Sequence, residues 1–292
     1  MSTSGRLVVG YEGGSPGADA LAFARRWAEA SGDELLVVTV HPGPAPLGAG
    51  RVDVEWVAYE REQADTLLDQ ARALVPEGLR ARFVRVDSGS AAHGLHDLVE
   101  QDPSDVPLVV LGSGRTRGMR RTYPGTTAER LLQGSPVPVA MVPWGYADDA
   151  DGAIRRLVVG FVDTPDGRLA LEHAARMAGH LDAELLVLSV VPDTLVLPSL
   201  GDQRQFGSTQ AQAYRDGLDA ALAGLPEGLR ARGELRPGPV VDALTELRPD
   251  ECDLLVCGSR GYGPLRSVLL GGVSSRVVRH SRVPVVVVPR GG

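Results

Sequence analysis

Two α/β domains in tandem, each a doubly wound five-stranded parallel sheet, are the fold this sequence predicts. Three observations predict it. The chain repeats itself at a fixed offset, short apolar runs alternate with amphipathic stretches in each copy, and glycines cluster where apolar runs end. The repeat is plain at offset 150. Residues 7–40 share 15 identities in 34 positions with residues 157–190, and Pro76-Glu77-Gly78-Leu79-Arg80-Ala81-Arg82 recurs unchanged as Pro226 to Arg232. Near the end the offset falls to 146, where Ser135-Pro136-Val137-Pro138-Val139 matches Ser281-Arg282-Val283-Pro284-Val285. A period this long is a duplicated domain with a small deletion, not a solenoid. The boundary is expected in the acidic stretch Gly145 to Ala153, giving domains at 1–146 and 153–292.

In copy 1, Arg6–Gly10 reads as a strand and Gly17–Ala30 as an amphipathic helix. Glu34–Val40 is a strand, Val52–Leu74 a long helix, Arg80–Val86 a strand and Ala91–Glu100 a helix. Pro107–Leu111 is a strand, Thr126–Leu132 a helix and Pro138–Val142 the last strand, and copy 2 repeats this from Arg156 onward. Val- and Leu-rich strands of this length read as buried on both faces, as parallel strands are. Their alternation with helices implies right-handed crossovers. Such sheets bind ligands at the carboxyl ends of strands, at the point where strand order reverses. The ends at Gly10 and Gly112, and at Gly160 and Gly258, are the expected walls of two crevices.

Composition narrows the chemistry. The 292 residues include no Lys, no Asn and a single Ile (Ile154), and the net charge is −7. Without Lys there is no P-loop lysine and no Schiff base, so phosphate binding must use backbone, hydroxyls and Arg. The acidic balance argues against a nucleic-acid or anionic-membrane partner. No apolar run reaches the length of a membrane span. The short polar start is not a secretory signal, so a cytoplasmic location is expected. Cys252 and Cys257 are too few for a disulfide framework, and their spacing is not a redox pair.

The phosphate signal is a spaced glycine array. Gly258-Ser259-Arg260-Gly261 follows the apolar run ending at Cys257, and Gly271-Gly272-Val273-Ser274 opens a helix through His280. Glycines between a strand end and a helix start let backbone N–H groups approach an anion, and the helix dipole favours negative charge there. A degraded copy lies at Gly112-Ser113-Gly114-Arg115 and Gly125-Thr126-Thr127.

These residues resemble the universal stress protein family, and the resemblance covers almost the whole chain twice. It is carried by Val9-Gly10-Tyr11 and Val159-Gly160-Phe161, by the Gly-x2-Gly-x9-Gly array, and by the closing Val-Pro-Val strand. The resemblance implies a five-stranded parallel sandwich of the adenine nucleotide alpha hydrolase-like type. It implies ATP, with or without Mg2+, as ligand, the triphosphate on the glycine array and the adenosine near a carboxylate after strand 1. It also implies pairing through the last strand, here within one chain as an intrachain pseudo-dimer, with a homodimer left open.

Neither copy matches the pattern fully. In copy 2, Gly258, Gly261 and Gly271 match, with Gly272 in place of a hydroxyl residue and Ser274 left for a phosphate. The family's carboxylate position holds Val162, with Asp163 one place later. In copy 1, Glu12 keeps the carboxylate and Gly125-Thr126 the hydroxyl, but Arg115 replaces the second glycine. Copy 2 therefore reads as the better phosphate end and copy 1 as the better adenosine end. Arg115, Arg117, Arg120 and Arg121, with Arg260 and Arg266 in copy 2, read equally as anion contacts or as solvated loops.

Other signals are weaker. His93 and His96 read as a surface helix pair with no third metal ligand at a recognisable spacing. Trp27 and Trp56 read as packing residues. His41-Pro42-Gly43 lacks the second histidine of a nucleotidyl-transfer signature. No Gly-x-Ser-x-Gly elbow or Gly-x-Gly-x-x-Gly fingerprint occurs. The expected function is adenine-nucleotide binding in a regulatory stress response, in one crevice or both. The alternative is a stress protein that binds no nucleotide and acts through protein–protein association. An enzyme such as a slow ATPase has least support, because no residue stands out as a general base.

Overall fold

Residues 5–42, 54–114, 124–192, 203–259 and 272–290 are described by a computed structural model. They form two units, Met1–Ala153 and Ile154–Gly292.

In the first unit the elements are β1 (Arg6–Gly10), α1 (Gly14–Ser31), β2 (Glu34–His41), α2 (Val54–Leu74), β3 (Ala81–Asp87), α3 (Ala91–Glu100), β4 (Val109–Gly112), α4 (Thr126–Gly134) and β5 (Val139–Val142). All strand pairs are parallel, in the order β3-β2-β1-β4-β5. The chain runs outward from β1 through β2 to β3, then returns to the other side of β1 for β4. Gly10 pairs with Val38, and Val9 with Val110, so the strand order reverses between β1 and β4.

The second unit repeats this with β6 (Arg156–Phe161), α5 (Pro165–His180), β7 (Glu184–Val191), α6 (Gln203–Ala223), β8 (Ala231–Pro237), α7 (Val240–Thr245), β9 (Leu254–Gly258), α8 (Gly272–His280) and β10 (Val285–Val288). Its order is β8-β7-β6-β9-β10, again parallel. The doubly wound α/β fold expected twice is present twice. Where the repeat offset drops from 150 to 146, α7 has six residues against ten in α3, so the deletion shortens this crossover.

The central strands are buried on both faces, as expected. In β3 and β8, at one end of each order, buried positions give way to half-exposed and exposed ones. Helix α1 begins three residues before the expected Gly17. Gly13 takes φ 78°, which a side chain disfavours, and turns the chain into the helix early. Pro16 is accommodated in that first turn, where its missing N–H costs nothing. Gly32 in the left-handed conformation ends α1, its N–H donating to Ala28 O. In α5 the entry is side-chain capped: Thr164 Oγ1 accepts from Gly167 N at 3.1 Å, with Pro165 in the first turn.

Trp27 is a core residue, fully buried against Phe23, its indole N–H donating to Asp33 Oδ2 at 2.9 Å. Trp56 is not: it is 47% exposed on α2, so the packing role expected from the sequence fails. The stretch after β5 folds back onto α1. Buried Asp19 accepts from Gly145 N at 2.9 Å and Ala147 N at 2.8 Å, and Arg26 Nε donates to Gly152 O at 2.8 Å. Burial pushes the Asp19 carboxyl up, against the backbone N–H groups that lower it.

In unit 2, Asp253 holds the start of β6 by accepting from Arg155 N, Arg156 N and the Arg156 guanidinium. Burial alone would raise this carboxyl, but Arg156 and the two backbone N–H groups hold it below the usual range. Cys252 and Cys257 are buried, and burial pushes the Cys257 thiol up to about 12 and the Cys252 thiol higher still. Both are thus inert core residues. Among the described residues no helix is long and apolar enough to cross a membrane.

Two outcomes are expected from this packing. A Cβ at Gly112 would fall 1.9 Å from Pro16 O, a backbone atom that cannot step aside. Gly112→Ala should lose about 3 kcal/mol in urea unfolding. Gly125→Ala, with nothing within 4 Å of its Cβ, should lose no more than about 1 kcal/mol, the difference between Gly and Ala at a helix N-cap. The second concerns His173, which stands where copy 1 has Phe23. Burial, helped by Arg176, lowers its pKa from 6.5 to about 4. A depressed folded pKa means the unfolded chain takes the proton first. This stability is therefore complete above pH 6.5 and is lost as pH falls toward 4. His173→Phe should flatten that part of a Tm-versus-pH profile.

Candidate functional site

The residue after β1 is tied to β2, and the residue after β4 to β5. Tyr11 N donates to Val38 O at 2.9 Å, and Tyr11 O accepts from Thr39 Oγ1 at 2.9 Å. Ser113 N, just past β4, donates to Val142 O at 2.9 Å. Unit 2 repeats the device: Ser189 Oγ donates to Phe161 O at 3.1 Å, and Ser259 N donates to Val288 O at 2.9 Å. Thr39 and Ser189 lie at the repeat offset, so the duplication carried the signal, but neither looked functional in sequence.

The glycines at the strand ends are there for packing. Gly112 admits the first turn of α1 at Pro16. At Gly10 a Cβ would meet Leu111 Cδ2 at 2.6 Å, and at Gly160 it would meet Leu244 Cδ1 at 3.2 Å. Beyond β4, Gly125 precedes α4 with open space around it and no side-chain cap on the helix. Among the described residues, no side chain satisfies the N–H groups of Thr126, Thr127 and Ala128 that begin this helix. Thr126 is exposed and Thr127 half-buried, and among the described residues neither hydroxyl has a hydrogen-bond partner. Glu12, in the β1–α1 loop, is exposed and likewise unengaged among the described residues.

The second crevice differs at both ends. Asp163 Oδ1 accepts from Arg168 Nε at 2.6 Å, and this guanidinium holds the carboxyl below the usual range. At the other end Ser274 is buried and its Oγ donates to Gly258 O at 2.7 Å. The single hydroxyl proton is spent on closing α8 against the end of β9, so it is not available to a phosphate. Gly272 and Val273, the first residues of α8, are exposed and half-buried respectively. Sequence reasoning named Asp163 and Ser274 but missed the Arg168 and Gly258 partners that occupy them. Gly261, Gly271 and the arginines at 115, 117, 120, 121, 260 and 266 lie outside the described residues.

Asp163 also lines a groove of about 980 Å³ between α5 and α6. Smaller side chains open it: Gly217, Gly224 and Ala175 stand where copy 1 has Leu67, Leu74 and Arg25. In unit 1 Arg25 Nη1 donates to Leu74 O, and Leu67 abuts Gly13.

Comparison with known proteins bears on this geometry. The Universal stress protein family matches residues 3–143 and again 153–289. A universal stress protein of Mycobacterium tuberculosis is 28% identical, over 97% of this chain and 99% of its own length. One of Mycolicibacterium smegmatis is 27% identical, over 97% and 96%. A crystal structure of a universal stress protein from Archaeoglobus fulgidus has the same fold at TM-score 0.67 and 19% identity, covering 99% of this chain and all of that one.

The Ser274 tie makes its own prediction. Ser274→Ala strands the Gly258 carbonyl and should cost about 1–2 kcal/mol in thermal or urea unfolding. Ser274→Thr, which keeps the hydroxyl, should recover part of that loss.

Proposed function

The chain belongs to the universal stress protein family, and we propose that it binds ATP or a related adenine nucleotide, with or without Mg2+, as a regulatory protein rather than an enzyme. The observation that carries this reading is the first crevice. It lies at a strand-order switch point and has an uncapped helix start at Gly125-Thr126-Thr127. Glu12 stands on the β1–α1 loop with its carboxylate unengaged among the described residues. An uncapped helix start suits phosphate, and a free carboxylate suits ribose hydroxyls.

This reading loads unit 1 first. The second crevice has the fuller glycine array, but its carboxylate and its hydroxyl are already committed. Nucleotide there must displace Arg168 from Asp163 or do without that carboxylate. The duplication supplies in one chain the two copies that pairing through last strands requires, which makes an intrachain pseudo-dimer part of the proposal. A soluble cytoplasmic role in stress response goes with it.

Calorimetric titration of ligand-stripped protein with ATP and Mg2+ tests the reading. Saturable heat and an upward Tm shift are expected. Glu12→Ala should weaken binding by roughly tenfold, the scale of one hydrogen bond to a charged group, whereas Asp163→Ala should change it little. Absence of both heat and Tm shift removes nucleotide binding and leaves protein–protein association as the function.

A further inference from the structure

Helix α3 carries a polar cluster unrelated to the crevice. His96, Asp97 and Glu100 each offer a ligand atom, and these atoms lie within 4.8 Å of one another. His96 Nδ1 is 3.7 Å from Asp97 Oδ1 and 3.8 Å from Glu100 Oε2. These separations are too long for hydrogen bonds. Two ligands that share one ion at about 2.0–2.1 Å each in tetrahedral geometry stand about 3.3–3.4 Å apart, so small side-chain rotations would bring these atoms onto one ion.

The other ring nitrogen is already fixed. His96 Nε2 lies 3.2 Å from the backbone carbonyl of Gly134, the last residue of α4. A carbonyl only accepts, so Nε2 carries the proton and donates it. In the neutral imidazole this leaves the Nδ1 lone pair facing the two carboxylates. A backbone carbonyl on the non-ligating nitrogen is how ligand histidines are oriented in metal sites. Two carboxylates and a ring nitrogen converging in this way make a place that one cation completes, either a proton on Nδ1 or a metal ion in its stead. Glu100 also ends α3, where the helix dipole favours positive charge.

We propose that His96, Asp97 and Glu100 form a binding site for a borderline divalent cation such as Zn2+, with solvent completing the coordination. One imidazole with two carboxylates suits zinc-like ions over Mg2+ and Ca2+, which take oxygen ligands. The bound ion would tie α3 to the end of α4 through the His96–Gly134 bond. Among the described residues no such group occurs in unit 2, where α7 stops at Thr245. The sequence offered His93 and His96 as a pair; the structure separates them, since His93 Nδ1 sits 2.9 Å from Ser90 Oγ at the start of the helix.

The test is titration of the untagged, metal-stripped full chain, without nucleotide, by Zn2+ calorimetry and by Co2+ absorption. One saturable site per chain is expected, with no thiolate charge-transfer band, because both cysteines are buried. His96→Ala and Glu100→Gln should each weaken Zn2+ binding by roughly tenfold or more, with unchanged circular dichroism. His93→Ala should leave binding unchanged. The proposal is overturned by the absence of saturable binding, by a thiolate band, by His93→Ala weakening binding as much as His96→Ala, or by His96→Ala binding like the parent.

Discussion

The close approach of α1 to the end of β4 sets the geometry on which the first unit depends. Pro16 O occupies the space where any side chain at position 112 would stand. That contact fixes the distance between the β1–α1 loop and the strand across the switch point. It therefore holds the start of α1, just after Glu12, against the end of β4. Backbone-on-backbone packing of this kind leaves no flexible side chain to absorb an error. In unit 2 a Cβ at Gly167 would fall 2.0 Å from Val162 O, so there the loop before α5 closes on its own helix.

Duplication gave two equal frames, and divergence changed mainly what their polar groups are bound to. The backbone ties at Tyr11 and Phe161, and at Ser113 and Ser259, are conserved between the copies as physical devices. The side chains that would meet a ligand are not. In unit 2 an arginine five residues further on, Arg168 in the first turn of α5, pairs with Asp163, and Ser274 bonds internally to Gly258. A group already paired must be unpaired before it binds anything, and the cost of that step counts against affinity. The copy that looked better by glycine spacing thus holds its polar groups less available.

The same divergence reached the helical face. Leu67 and Leu74 in one copy became Gly217 and Gly224 in the other, and a groove opened between α5 and α6. Phe23, which stacks edge-on against Tyr146, became the half-buried His173. In the first unit Asp19 and Arg26 fasten the segment after β5 onto α1. The acidic stretch that marks the repeat boundary is therefore structured by hydrogen bonds from a helix more than a hundred residues earlier.

The sequence by itself determined the duplication, the parallel α/β class and the order of elements. All three are written in short-range patterns: identities at one offset, apolar runs of strand length, and glycines at strand ends. Helix α3 was legible to the residue, because Ser90 caps it and its apolar spacing is regular. The start of α1 was not, because it depends on Gly13 taking a left-handed φ. The sequence also named the candidate residues Glu12, Asp163, Thr126 and Ser274. Only the tertiary structure decided which of them are engaged, since Arg168 and the Gly258 carbonyl are partners chosen by three-dimensional proximity. It likewise decided that His96 looks toward Asp97 and Glu100 and not toward His93. A carbonyl from another helix sets that ring, and no periodicity along one helix encodes a bond made to the next.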